Sequence, residues 1–127
     1  MPKYYEAKVA ADEVLTVLSK ERLDEETKNG VPEKDRFCGI SFRPGTLSDG
    51  PAGRVSMGKT SCEGKVARAT VAEAIAAVLG TEGARGWIDL LDGEEEAEAA
   101  AKRIVKDAVD AVEGEDFEAM KERAAKL

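Results

Sequence analysis

Arg36-Phe37-Cys38-Gly39-Ile40-Ser41-Phe42-Arg43-Pro44-Gly45-Thr46 is the stretch on which the fold class turns. Apolar residues fall on both sides of its two-residue period. Cys38, Ile40 and Phe42 share one face, and Phe37, with small Gly39 and Ser41, takes the other. Such patterning predicts a short buried strand in a parallel sheet with helices above and below. Pro44, lacking an N–H, is expected to end the ladder, and Gly45 to permit a sharp exit. Open α/β sheets gather ligands at the carboxyl ends of their strands, so this turn is the first place to look for a small molecule. An ordinary strand-ending turn would carry the same residues.

Outward from that strand, residues 4–18, or 4–23, read as an amphipathic helix. Its narrow face is made of Ala7, Ala11, Val14, Leu15 and Leu18. Residues 24–35 are dense in charge, contain Asn29-Gly30 and Pro32, and are expected to form an exposed loop. Beyond the strand, residues 47–53 are loop and 54–59 a short extended segment. Residues 66–79 are a second helix stopped by Gly80. Trp87-Ile88-Asp89-Leu90-Leu91 is a second buried strand. Residues 94–113 predict a third helix, opened by acids that complement its dipole, and Phe117, Met120, Ala124 and Leu127 a short final one. The order is α-β-α-β-α-α, an α/β chain. Its single parallel β-α-β unit has too little sheet to stand alone, which suggests a portion of a larger domain.

Composition removes several function classes. The 127 residues carry 19 basic and 26 acidic side chains, a net charge of −7. That argues against nucleic acid or an anionic membrane as the main partner. One Trp, two Tyr and three Phe are too few for base-stacking platforms. Histidine is absent, and with it the commonest general base and metal ligand, so no metal site is expected. Cys38 and Cys62 lack CxxC spacing and suggest reduced thiols in a cytoplasmic protein. No long apolar run or leader pattern is evident.

Two motifs invite a nucleotide. Residues 53–60 match GxxxxGK[ST], in which backbone amides, Lys59 and Thr60 would hold phosphates and magnesium. A P-loop must directly succeed a buried strand and open a helix. Here Pro44, Gly45 and Pro51 separate the motif from its strand, and Gly64 interrupts the first turn after Lys59. Residues 80–86 match GxxGxxG, but they run from a helix into a strand, the reverse of a dinucleotide fingerprint.

Tyr4 and Lys8 share one helix face, where an ammonium near a phenol favours the phenolate and suits acid–base work. A solvated helix end places Tyr before Lys just as readily. The whole run is more specific: Tyr4-Tyr5-Glu6-Ala7-Lys8, Ala10-Ala11-Asp12-Glu13-Val14-Leu15, Arg43-Pro44-Gly45-Thr46-Leu47-Ser48-Asp49, Gly53-Arg54-Val55-Ser56-Met57-Gly58, Gly64-Lys65-Val66, Val71-Ala72 and Gly86-Trp87-Ile88-Asp89-Leu90-Leu91. In this order and spacing the chain resembles the C-terminal half of the atypical short-chain dehydrogenase/reductase-like proteins. These are NAD(P)-binding Rossmann proteins related to flavin and biliverdin reductases and to NAD(P)H-binding epimerase-like proteins. The resemblance covers residues 4–116.

The resemblance implies a single partial Rossmann-like domain over residues 1–127, the C-terminal portion of a doubly wound parallel sheet whose N-terminal βαβ units are missing. It implies Tyr4 as proton donor, Lys8 on the nicotinamide ribose, and Pro44, Gly45, Thr46 and Leu47 beside the nicotinamide of NAD(P). The function implied is an NAD(P)H-dependent reduction of a small carbonyl-type substrate. Catalysis by these residues alone is expected to be weak or absent, because the family's pyrophosphate loop has no counterpart among them. The chain also departs from the family at Ala67-Arg68-Ala69-Thr70, where members tend to carry Ser-Arg-Glu-Asp, a capping box. Two other readings stay open. One is a non-enzymatic interaction module that pairs with itself as a homodimer or with a complementing N-terminal half. The other is a P-loop nucleotide binder at residues 53–60.

Overall fold

The computed structural model describes residues 2–127. In chain order its elements are α1 (Pro2–Lys28), a 3-10 turn (Glu33–Asp35), β1 (Ile40–Pro44), β2 (Thr46–Ser48), β3 (Val55–Gly58), β4 (Lys65–Ala67), α2 (Arg68–Leu79), β5 (Gly86–Asp92), α3 (Ala97–Lys106) and α4 (Phe117–Ala124). They form two compact units. One comprises the residues up to Gly39 together with Gly114–Leu127; the other is Ile40–Glu113.

The helical unit is built on α1. This helix continues to Lys28, through residues expected to be loop, because Glu, Lys and Leu are strong helix formers however charged the stretch. Lys20–Asp24 (3.1 Å) and Arg22–Glu26 (3.4 Å) support it at i,i+4 spacing. The stop lies one turn later. Gly30 takes φ +73°, its N–H bonds the Thr27 carbonyl, and the Val31 N–H bonds Glu26. That pair of bonds is a Schellman motif, which needs a left-handed residue at the position Gly30 occupies. Against α1 lies α4, capped by Asp116, whose Oδ1 accepts the Ala119 N–H at 3.1 Å. The buried Glu13 carboxylate receives Arg123 Nε at 2.7 Å, and Met120 is buried.

In the sheet unit, β5 is the middle strand and β1 an edge, so the order is β1-β5-β3. β1 runs parallel to β5 with Phe42 opposite Ile88 and Pro44 opposite Leu90. β3 runs antiparallel to β5 with Met57 opposite Leu90, and β2 pairs in parallel with β4. The sheet is thus mixed, with α2 in the connection between its parallel strands. Ile88 and Leu90, with Val55 and Met57, face Ala74 and Val78 of α2 and Ala100, Ala101 and Ile104 of α3. Alternation turns Ser41, Arg43, Trp87 and Asp89 to the other face. There the Arg43 guanidinium stacks on the Trp87 ring, 4.3 Å from its centroid.

Several boundaries differ from those expected. The first strand starts at Ile40 rather than including residues 36–39. Pro44 does not end its ladder, because the Gly45 N–H still reaches the Leu90 carbonyl at 3.0 Å. N–H groups alternate along a strand, so the donor that Pro44 lacks belongs to the unpaired edge. Residues 65–67 are strand β4, and α2 begins at Arg68 without a side-chain cap. α3 stops at Lys106, not Glu113. Ala108 takes φ +51° and Asp110 Oδ1 accepts the N–H groups of Trp87 and Val112, each at 2.9 Å. A tie to the start of β5 overrides the helical propensity of residues 107–113.

Candidate functional site

Pro44, Gly45, Thr46 and Leu47 leave the carboxyl end of β1 and run directly into β2. Gly45 donates to Leu90 of β5, and Thr46 donates to the Gly64 carbonyl at 3.0 Å. A Cβ on Gly45 would stand 2.5 Å from Leu91 Cδ2 and 2.6 Å from the Gly64 oxygen, so only glycine fits here. The turn is therefore clamped from two sides. Pro44, Thr46 and Leu47 remain exposed, and the Thr46 hydroxyl is uncommitted.

Tyr4 and Lys8 belong to the other unit, on the opening turns of α1. Both are exposed, and the Lys8 ammonium lies over the Tyr4 ring, 5.5 Å from its centroid. The structure thus joins Tyr4 to Lys8 within the helical unit, and Pro44–Leu47 to a loop of the sheet unit.

That loop, residues 59–64, is the part sequence reasoning undervalued. Thr60 donates its N–H to Oδ2 of Asp89 at 2.9 Å, and Asp89 is only 3 % exposed. Oδ1 of Asp89 has no hydrogen-bond partner. Beside this carboxylate lies Cys62, itself at φ +63°, with its N–H on the Thr60 hydroxyl at 3.0 Å. Partial burial, then the Asp89 carboxylate, push the Cys62 thiol above its ordinary pKa, so it stays protonated and is a poor nucleophile. The available signal was an ionisable residue within the apolar run Trp87-Ile88-Asp89-Leu90-Leu91.

Residues 53–60 do not form a phosphate cradle. They contain β3, whose ladder with β5 occupies the backbone, while Val55 donates to Glu95 and Gly53 to the Thr70 hydroxyl. Lys59 faces Glu113 at 3.6 Å, and no helix opens after Thr60. Gly80 and Gly83 lie in the connection from α2 to β5, and Gly86 opens β5 itself. Among the described residues, no cluster of three or more Cys, Asp or Glu could hold a metal ion, and no helix is long and apolar enough to cross a membrane. Compared with protein-family models, with curated proteins and with solved structures, the chain has no significant match.

Proposed function

We propose that the chain is the C-terminal portion of an NAD(P)-binding, Rossmann-like protein of the short-chain dehydrogenase/reductase type. The observation that carries this reading is the clamped Pro44–Leu47 turn. It sits at the carboxyl end of a parallel strand, where open α/β sheets take their ligands. Parallel pairing of β1 with β5, with α2 in their connection, agrees with it. In this reading Pro44 and Leu47 pack on the nicotinamide and the Thr46 hydroxyl meets its carboxamide. Lys8 holds a ribose hydroxyl, and Tyr4 gives its phenolic proton to the carbonyl oxygen of a small substrate. The cofactor, when bound, supplies the hydride.

The test is a titration with NADPH and NADH monitored by amide NMR. Ligand at about millimolar concentration, a weak-binding regime, shifts the amides of Gly45, Thr46 and Leu47. Tyr4→Phe then abolishes whatever turnover the chain supports and leaves those shifts intact. No shift at any of the three amides, in a folded sample, removes the reading.

One observation favours the interaction module as a second reading. Ile40, Phe42 and Pro44 of β1 direct their backbone groups to an edge with no neighbouring strand among the described residues, and Leu47, just beyond it in the chain, is exposed. An unpaired edge is a template for another strand, although Pro44 removes one donor from it. Light scattering at rising concentration decides this, since a module that pairs with itself gains mass toward a dimer.

A further inference from the structure

We infer that Asp89 is the positioning residue of the Pro44–Leu47 turn, acting through the 60–64 loop. The inference gives the turn its anchor, and its importance for a ligand rests on the proposed NAD(P) reading. The chain of contacts is continuous. Asp89 Oδ2 fixes the Thr60 N–H, and the loop then closes on itself through the bonds from Cys62 to the Thr60 hydroxyl and from Glu63 to the Ser61 hydroxyl. At its end Gly64, at φ +139°, offers its carbonyl to Thr46. One end of the loop is thus tied to the middle strand and the other to the turn.

The carboxylate is hard to explain as a stabilising group. It is buried, one oxygen is unpartnered, and an apolar residue at its place on β5 would avoid that desolvation. Arg43, its register partner, is committed to the Trp87 ring and forms no ion pair with it within 4 Å. What Asp89 does supply is an acceptor at the point where the loop must be held. Gly45 completes the arrangement, since any larger residue would push the Gly64 carbonyl away from Thr46.

Amide hydrogen exchange in Asp89→Ala, Asp89→Asn and the unaltered chain tests this. In Asp89→Ala the Thr60 and Thr46 amides exchange at least about tenfold faster, the equivalent of one charge-assisted hydrogen bond, while those of Val55 and Gly93, bonded to Glu95 and Arg54, keep their protection. Asp89→Asn restores both, because its amide oxygen can still accept from Thr60. A residue that merely stabilised the unit would raise exchange at all four positions, and that result, or an unchanged Thr46 amide, overturns the inference. If Asp89→Ala does not fold, Thr60→Pro removes the donor N–H together with the hydroxyl that holds Cys62, which frees the loop from β5 without touching the core, and the same Thr46 readout applies. An NADPH titration of the same samples separates the two claims. Thr46 protection that depends on Asp89, without any cofactor-induced shift, upholds the anchor and sinks the NAD(P) reading.

Discussion

The helical unit and the sheet unit each keep their order by different means. In the helical unit, α1 buries only Glu13 and Val17, and Tyr4, Tyr5, Val9 and Leu18 stay exposed. Its order comes from local devices: helix formers, i,i+4 ion pairs, a Schellman stop at Gly30 and a cap at Asp116. The sheet unit has weaker local signals, strands of three to seven residues and an uncapped α2, but it owns a contiguous core. A unit specified by neighbours along the chain tolerates side-chain truncation. A unit specified by distant contacts does not.

The sharpest break of that comparison is Leu90→Ala. Leu90 is fully buried on the middle strand, and truncation there costs about 2–5 kcal/mol. Denaturation monitored by the fluorescence of the single Trp, Trp87 in β5, shows the loss. A change below about 1 kcal/mol would mean that the core is not what holds this unit. Asp110→Ala comes next, at about 2–3 kcal/mol, because it leaves the Trp87 and Val112 N–H groups without their charged acceptor. The same denaturation curve measures it.

The two left-handed helix ends form a matched pair of smaller effects. Gly30→Ala in the helical unit costs about 1 kcal/mol, and Ala108→Gly in the sheet unit gains up to about 1 kcal/mol, because φ is positive at both sites. Equal and opposite shifts in thermal midpoint are expected. Like signs would contradict the Schellman geometry at one of them.

The mildest effect is a pH profile. Cys62 holds its proton beyond the ordinary thiol value of 9.0, so it reacts with a thiol reagent more slowly than a free cysteine below that pH. Asp89→Asn, which removes the neighbouring charge, moves the profile down. A folded-state pKa above the unfolded one means that the thiol favours folding below the unfolded pKa. That contribution is lost as pH rises through the folded pKa. An unshifted profile in Asp89→Asn would place the cause in burial alone.

Much of the fold was legible where residues act on their neighbours. The final helix is set by the spacing of Phe117, Met120 and Ala124, and Trp87 to Leu91 is a strand because an apolar run between glycines has little else to form. The α1 boundary is missed when charge is weighed as a loop signal, because Asn29-Gly30 is the actual stop. Strands β2 and β4 are invisible in the sequence because each is three residues long and exists only through pairing with the other. In the candidate site the glycine at position 45 was legible, but the sharp exit expected there is absent, because β1 passes through Gly45 directly into β2, and the clamp on that segment was not legible. Asp89 and Gly64 lie far from Thr46 in sequence, and no periodicity joins them.

By itself, then, the sequence determined the α/β class, the presence of the first helix and the two principal strands. Hydrophobic period, propensity and turn chemistry act over a few residues and can be read from them. Tertiary structure decided which strand is central, where α3 ends and what holds the turn. Each of those depends on a hydrogen bond or a packing contact between residues that only the folded chain brings together.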